Sequence, residues 1–584
     1  EIFDELYQKS LENRKFRNLM ELILMEENIK LAYRNMKKND GSTTPGVDGK
    51  TIEHLAKMTE KEVIELVRNK LEWYTPKAIR RVEIDKGNGK KRPLGIASIE
   101  DRLIQQCILQ VLEPICEAKF HDRSNGFRPN RGVENALAQA EKLIQSNKLY
   151  IVVDIDIKGF FDNVSHGKLL KQLWTIGIQD KKLISIISAM LKGEIAEIGF
   201  PEKGTAQGSI ISPLLSNVVL NELDWWIASQ WEFMPTRHVY KEAIKANGTQ
   251  SKSKKYRALR NSTLKECFIV RYADDFKIFC RKHKDAVVMF EATKQWLKTR
   301  LGLDISPEKS KIVNLKHSYS EFLGFRIKVH KKGKDTKCKP PVDKYVVKSH
   351  ISEKALKKIK TNAKERIIAI QKTNGSRAGE YAIRDYNSFV MGMQNYYSMA
   401  TCVNPDIQTL AYEIKTSIKI RLNTRVKRRT NEALTPYLSE RYGKSKELRF
   451  INGVPLVPIG YVQHRVPLHK KAVVNKYTAE GRKEIHKQLE TVDIERVHEL
   501  MRNPISNETV EFNDNCVSLF VAQRGKCAIC KLPLTLENMR CVRKIPKSCG
   551  GDDKYNNLII VHKEMERLIK SQDNKEIKRI LNKY

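Results

Sequence analysis

Apolar residues follow two different periods along the chain, and the change between them divides it. From about Tyr74 to Phe325, short apolar runs alternate with turn residues, the pattern of strands joined by turns and short helices. Val82-Glu-Ile-Asp-Lys-Gly-Asn-Gly-Lys-Lys-Arg-Pro-Leu-Gly-Ile96 predicts two strands joined at Asn88-Gly89, because a tight hairpin turn needs positive φ and Asn-Gly adopts it readily. The runs Cys267–Val270 and Phe276–Cys280 predict another strand pair, and Tyr150-Ile-Val-Val-Asp-Ile-Asp-Ile157 a further strand. Beyond Tyr345 the period lengthens. Leu356, Ile359, Ala363, Ile367 and Ile370 recur at steps of three and four, with Lys354, Lys357, Lys358, Lys360, Lys364 and Arg366 between them, which predicts a helix with one packing face and one basic face. Lys415 to Arg429 is a second basic stretch, and Asp385 to Tyr397 is rich in Tyr and Asn. Two polar segments interrupt these patterns: Lys241 to Arg260 reads as an inserted solvated loop, and His330 to Pro341 as a separator before the helical part.

Composition adds a partner. The chain has 584 residues, enough for about three to four domains. Its 107 Lys and Arg against 69 Asp and Glu give a net charge of +38, while 41% hydrophobic residues is ordinary for a folded protein. Such a field recruits polyanions, since each neutralised phosphate releases counterions, so nucleic acid is the first partner to expect. No run of 18 apolar residues occurs and mean hydropathy is −0.50, which excludes a spanning helix and leaves no membrane partner. Eleven cysteines, an odd number over a long chain, do not form a disulfide framework and fit a reducing compartment. Five of them (Cys516, Cys527, Cys530, Cys541 and Cys549) cluster late in the chain and ask for a metal explanation. The sequence opens at Glu1 rather than at Met, so a targeting segment is not judged from it.

Carboxylates supply the sharpest chemical signal. Asp274 and Asp275 sit between two strand-like runs, where a tight turn projects both into one small volume, and hard cations such as Mg²⁺ prefer such oxygen ligands. Asp154 and Asp156 lie two apart near the end of an apolar strand and so share a face. Acids ending a buried strand are costly unless they hold a metal or meet a base. Carboxylates gathered from two strands are what two-metal nucleotidyl transfer requires.

These residues also carry a resemblance. Tyr272-Ala-Asp-Asp275, Asp156-Ile-Lys-Gly-Phe-Phe-Asp162 and Gly204-Thr-Ala-Gln-Gly-Ser-Ile-Ile-Ser-Pro-Leu-Leu-Ser-Asn217 resemble, in order and spacing, the palm motifs of reverse transcriptases. Thr44-Pro-Gly-Val-Asp-Gly49, Arg92-Pro-Leu-Gly-Ile96, Gly126-Phe-Arg-Pro129, Gly302-Leu-Asp-Ile-Ser-Pro-Glu-Lys309 and Phe322-Leu-Gly-Phe325 are similar to the finer pattern of group II intron reverse transcriptase/maturases. The resemblance implies an α+β multidomain fold. It would contain a right-hand reverse transcriptase with a ferredoxin-like palm sheet, an α-helical thumb with domain X, and a small ββα-like HNH module. The blocks implied are 1–73 (N-terminal extension), 74–328 (fingers and palm), 342–465 (thumb and domain X), 466–515 (basic DNA-binding linker) and 516–584 (HNH-like).

It also implies roles. Asp156, Asp274 and Asp275 would be catalytic and hold Mg²⁺ with the Ile157 carbonyl, whereas Asp154 and Asp162 would be structural. Phe161 would exclude a 2′-hydroxyl, Gln207 and Gly208 would line the nucleotide pocket, and Arg92 with Lys86 would clamp the triphosphate. Phe322, Leu323, Gly324 and Phe325 would grip the primer. Lys357, Lys360, Lys364, Arg384, Tyr396, Tyr397, Lys419, Arg421, Arg425, Arg428 and Arg429 would contact intron RNA.

Cys527-Ala-Ile-Cys530 has the spacing of a metal knuckle, and with the segment Arg540 to Leu558 it resembles the HNH endonuclease domain of the same family. Val542-Arg543, Met565-Glu566 and Lys570 stand where that family carries His and Cys residues; Asn556 or Asn557, and His562, remain. The module is therefore expected to have lost DNA cleavage. Cys527 and Cys530 are the candidate Zn²⁺ ligands, with Cys541 and Cys549 as recruits, and free cysteines in a packed remnant are the alternative. The expected protein is an RNA-directed DNA polymerase and maturase, working with group II intron RNA, target DNA and dNTPs in a bacterial cytoplasm or nucleoid, or in an organelle of bacterial descent. A splicing cofactor with a silent polymerase site is the alternative, and an anti-phage or retron reverse transcriptase a third.

Overall fold

A computed structural model describes residues 1–85, 91–241, 243–244, 250–335, 340–373, 377–428, 434–487 and 494–570. The chain forms two compact units. One comprises Glu1–Phe120, Gly159–Val219 and Val473–Tyr584, the other His121–Lys158 and Leu220–Ala472. The two interleave along the sequence, whereas the sequence pattern suggests blocks laid end to end.

The first unit is built on the helix Ile99–Glu117, in which Leu103, Ile104, Cys107, Ile108, Val111, Leu112 and Ile115 are all fully buried. Ser98 caps it, accepting from the Asp101 N–H at 3.1 Å, a contact of the kind worth about 1 kcal/mol. Helices Ile2–Leu11, Glu26–Lys37 and Glu60–Glu72 pack around it. The strands Arg80–Asp85 and Lys91–Ile96 pair antiparallel from Arg80↔Ile96 to Asp85↔Lys91, as their alternation predicts; the Asn88-Gly89 turn lies outside the described residues. The late segment Val473–Tyr584 belongs to this unit. Its helix Val510–Ala522 is capped by Thr509, and the strands Met539–Arg543 and Leu558–His562 pair antiparallel ahead of the helix Lys563–Lys570. Phe512, Phe520, Leu534, Ile560 and Met565 form its core. Lys37 Nζ reaches Glu511 at 2.9 Å and Asp514 at 3.1 Å, while the Tyr33 hydroxyl donates to Glu511 at 2.7 Å, so this module docks on the N-terminal helices.

The second unit contains a four-stranded antiparallel sheet in the order Cys267–Tyr272, Asp275–Cys280, Ile151–Ile155, Lys311–Asn314. Along the chain these strands alternate with helices as strand, helix, strand, strand, helix, strand. All five residues of Ile151–Ile155 are buried, Asp154 among its apolar neighbours. A second sheet joins Ser320–Phe322, Phe325–Asp335 and Val342–Ile351. The His330 to Pro341 segment is thus not a separator: its beginning extends a long hairpin, whose two strands pair from Phe325↔Ile351 through Lys331↔Tyr345. Three long helices follow, Glu353–Lys372, Arg377–Tyr397 and Val403–Leu422. In the first, Ile359, Ala363, Ile367 and Ile370 are buried, matching the sequence period.

The Lys241 to Arg260 segment is also more than a loop. Short strands Ala243–Ile244 and Gln250–Ser251 pair, and Ser253–Arg260 is helical. Tyr256 anchors that helix by donating to Glu232 at 2.8 Å and packing on Trp231.

Candidate active site

The acidic hairpin of the second unit turns in two residues. Tyr272 pairs with Asp275, leaving Ala273 and Asp274 as the turn, with Ala273 at φ +56°. That conformation strains a non-glycine residue, and three features hold it. Arg271, 0% exposed, donates to the Ala273 carbonyl at 2.8 Å and pairs with Asp224, 1% exposed, through Nη2 at 2.6 Å. The Arg271 N–H donates to the Arg123 carbonyl and its carbonyl accepts from the Asn125 N–H, both at 2.9 Å. Beneath the turn lies Gly126, where a Cβ would come within 2.9 Å of the Tyr272 carbonyl carbon. Glycine there is required by close approach, not by its own φ.

Asp274 and Asp275 consequently project from a fixed turn. Burial pushes the Asp275 carboxyl up; the Asp154 and Asp274 charges add to the rise, while Lys277 and the Leu323 N–H oppose it. Its side chain is still 41% exposed, so the site is a recess open on one side. Asp154 is buried, accepts from Ser320 Oγ at 2.9 Å and lies 3.3 Å from Lys277 Nζ, which is 3.7 Å from Asp275. Asp156 follows the last paired position, Ile155↔Phe276, so one further step along the register brings it opposite Asp275. Its N–H donates to Ser310 Oγ at 3.2 Å and its carboxylate meets Lys309 Nζ at 3.0 Å. Ile157 is buried and bridges Ile305.

The acids are held by ammonium groups. Among the described residues no three His, Cys, Asp or Glu side chains converge tightly enough to hold a metal ion as they stand. The donor set, hard carboxylate oxygens with one pushed toward protonation by burial and then by like charge, is nevertheless the kind that a divalent cation relieves.

The Phe322 to Phe325 segment forms a second tight hairpin beside these acids. Leu323 and Gly324 have φ +53° and +83°, a primed turn, flanked by the buried pair Phe322↔Phe325. Lys277 Nζ lies 5.8 Å from the Phe322 ring centre. Tyr396 donates to the Leu323 carbonyl at 2.9 Å and stacks on Phe325, and Tyr397 packs on the same ring. These two tyrosines brace the hairpin, a role the sequence pattern did not suggest.

The remaining predicted RNA contacts divide. Lys357, Arg384, Lys419, Arg421 and Arg428 are exposed, and Lys364 is half-buried. Lys360 is paired with Glu413. Arg425 donates to the Ile370 carbonyl at 2.8 Å, closing the end of the helix Glu353–Lys372. Arg429 lies outside the described residues.

The first unit gathers Arg92, Gln207 and Gly208. Arg92 Nε donates to Gln207 Oε1 at 2.7 Å, and the Gly95 N–H donates to the Gln207 carbonyl at 2.6 Å. Gly208 has φ +107°, and a Cβ there would lie 2.7 Å from the Gly95 carbonyl. The Phe161 carbonyl accepts from the Thr205 N–H at 2.7 Å, tying Phe161 to the same loop. Lys86 lies outside the described residues.

In the late module the four-cysteine set is not assembled. Cys527 and Cys530 are neighbours: burial opposes ionisation of Cys527, but the His562, Cys530 and Ile529 N–H groups hold its thiol below the usual range, and His562 N lies 3.2 Å from its sulfur. Cys541 instead lies against Cys516, whose thiol is pushed well up, first by burial. Cys549 is exposed. Arg543 pairs with Glu508 and with Asp553 at 2.6 Å. Asn557 accepts from the Ile545 N–H at 2.9 Å and donates to the Asp552 carbonyl at 2.7 Å, pinning the loop between the strands.

Residues 84–327 match the family model described as reverse transcriptase (RNA-dependent DNA polymerase). The chain is 31% identical over 451 residues to the group II intron-encoded protein LtrA of Lactococcus lactis subsp. cremoris, covering 69% of this chain and 74% of that one. The chain belongs to the group II intron-encoded protein family. Membership makes it a reverse transcriptase, an RNA-directed DNA polymerase, and an intron maturase. Protein YkfC of Escherichia coli K12 is 31% identical over 323 residues, 54% of this chain and 83% of that protein. Nuclear intron maturase 2, mitochondrial, of Arabidopsis thaliana is 25% identical over 174 residues, 22% of this chain and 23% of its own. Among the described residues no helix is long and apolar enough to cross a membrane.

Proposed function

We propose that the four-stranded sheet is the ferredoxin-like palm of a right-hand polymerase, and that Asp156, Asp274 and Asp275, with the Ile157 carbonyl, hold two Mg²⁺ ions. Asp275 carries this reading: a carboxyl on a rigid turn, pushed up among Asp154 and Asp274, is a position that calls for a cation. When bound, Mg²⁺ lowers the barrier to attack by a primer hydroxyl and stabilises the leaving oxygen. Asp154 keeps Lys277 in place between the acids, and Lys309 steadies Asp156. Arg92 and Gln207, already hydrogen-bonded to each other, present a charged and a polar group to an incoming dNTP, with Lys86 as a second phosphate contact. Phe161 closes the pocket against a 2′-hydroxyl, and Gly208, whose missing side chain lets its backbone pass close to the Gly95 carbonyl, lines the nucleotide pocket. The turn of Phe322 to Phe325 steadies the primer end.

The helices from Glu353 onward serve as thumb and domain X. Lys357, Lys364, Arg384, Lys419, Arg421 and Arg428 offer an RNA face by phosphate contact, and group II intron RNA is the partner. Block 1–73 is read as the N-terminal extension, 74–328 as fingers and palm, 342–465 as thumb and domain X, 466–515 as the DNA-contacting linker, and 516–584 as an HNH-like module. The ββα order supports that last resemblance. With Arg543 committed to Glu508 and Asp553, no general base stands at that position, and strand cleavage is lost.

The test is primer extension by the purified protein on an RNA template with Mg²⁺ and dNTPs, beside a nicking assay of target DNA by the intron ribonucleoprotein. Extension without nicking is expected. Absent extension would overturn the active-site reading, and efficient nicking would overturn the reading of the late module.

A further inference from the structure

The helical part of the second unit encloses a cavity that the polymerase chemistry does not use. It lies between the helices Arg377–Tyr397 and Val403–Leu422 and the small sheet of Arg449–Ile451 and Val454–Leu456. Its volume is about 320 Å³, within the roughly 300–1,000 Å³ of small-ligand sites. The floor is apolar and closed to water: Ile414, Leu456, Val457 and Ile459 are buried. Tyr386 lines the cavity at 0% exposure, and among the described residues its hydroxyl finds no hydrogen-bond partner. Buried polar groups nearly always have one, so an orphan calls for an explanation.

The mouth has the opposite character. Lys415, Lys419 and Arg428 line it and are exposed to solvent, with Glu447 the one acid among the described lining residues. Glu447 is 3.4 Å from Lys415, so the mouth keeps a net positive charge. Gly460 forms part of the wall, where a Cβ would meet the Ala411 Cβ at 2.9 Å; the walls are packed at their base, and the cavity is set by backbone placement. An apolar floor with one unsatisfied hydroxyl beneath a cationic mouth matches an unstacked nucleotide, a flat base with a polar edge attached to a phosphate. An uncharged peptide or lipid would satisfy the apolar floor but leave the cations of the mouth without an anion.

We infer that this cavity takes one unpaired nucleotide of an RNA strand, its base inserted toward Tyr386 and its flanking phosphates on Lys419 and Arg428. The inference rests on the RNA-binding reading of these helices and deepens it, from a charged face to a site that reads a base.

The probe is a short oligouridylate carrying a single 4-thiouridine, bound to the full-length protein at fixed salt, cross-linked by light and mapped by peptide mass. Cross-links are expected at Tyr386 or in segment 411–428 or 454–460. Ile418→Trp, which fills the cavity, is expected to lower affinity for the oligonucleotide by roughly tenfold, the scale of one stacked base. Tyr386→Phe is expected to lower it several-fold, and neither variant should change the affinity of an abasic strand of equal length. Parent-like binding by Tyr386→Phe would overturn the inference even if Ile418→Trp failed to fold, as would cross-links confined to other segments. Primer extension by the parent protein is measured alongside: its absence would sink the polymerase reading while leaving the cross-linking result to decide the pocket.

Discussion

Two antiparallel strand pairs in this protein present charged residues at comparable places, and they treat charge in opposite ways. At the acidic hairpin, Asp274 and Asp275 are crowded together near Asp154, and the rise at Asp275 is only partly opposed by Lys277. In the late module, Arg543 meets Glu508 and Asp553 and stacks over Phe512, so its charge is answered on every side. Crowded like charge is unfavourable for the fold and persists where function requires it. Matched charge of this kind supports the fold and asks for no ligand.

The largest break in that comparison comes from Asp275→Asn. cDNA synthesis in Mg²⁺ should fall by roughly 100-fold or more, while binding of intron RNA, measured by filter retention, stays near the parent value. The stability effect should have the opposite sign. A carboxyl whose folded pKa is raised contributes stability that is complete below its ordinary range and lost as pH rises through the raised value. In metal-free buffer, the parent should therefore lose stability relative to Asp275→Asn as pH is taken from about 4 to 7, read from thermal unfolding.

Asp224→Ala tests whether the turn needs its buried support. It leaves the Arg271 guanidinium uncompensated in the interior, at a cost of about 3–5 kcal/mol, and should lower cDNA synthesis as well because Ala273 loses its brace. Arg543→Met should cost less, about 2 kcal/mol, since its partners keep some access to solvent, and primer extension should not change. A loss of extension there would erase the contrast drawn above. The smallest effect belongs to Cys527→Ser: with no four-cysteine set assembled, a chelator and the substitution should each shift the unfolding midpoint by no more than about 2 °C. A large shift in either would restore a structural metal to the module.

Legibility in the sequence followed the range of the interactions. The acidic turn is readable because it is a local pattern: a turn between apolar runs carries its own signal. Arg271 and Asp224 lie 47 positions apart, and nothing in either segment announces the pairing. Lys277 and Lys309 are two among 107 Lys and Arg, so their place between the acids appears only once the sheet register is known. The His330 to Pro341 segment reads as a separator because positions 330–334 are exposed and, unlike Phe325, Ile327 and Val329 before them, carry no apolar alternation. Tyr396 and Tyr397 looked like stacking platforms, but the hairpin they brace lies 73 residues upstream of Tyr396. The docking of Lys37 on Glu511 spans nearly the whole chain, so no local pattern reports it.

The interleaving of the two units also sets an order of events during synthesis. Everything the second unit needs has been made once Ala472 leaves the ribosome, whereas the first unit must wait for the segment that starts at Val473. At roughly 5–20 residues per second, Lys37 spends many seconds without Glu511 and Asp514, its partners in the finished fold. A nascent chain halted before Val473 would hold a complete acidic hairpin while the first unit was still unfinished, and ribosome-bound proteolysis should find the second unit protected first.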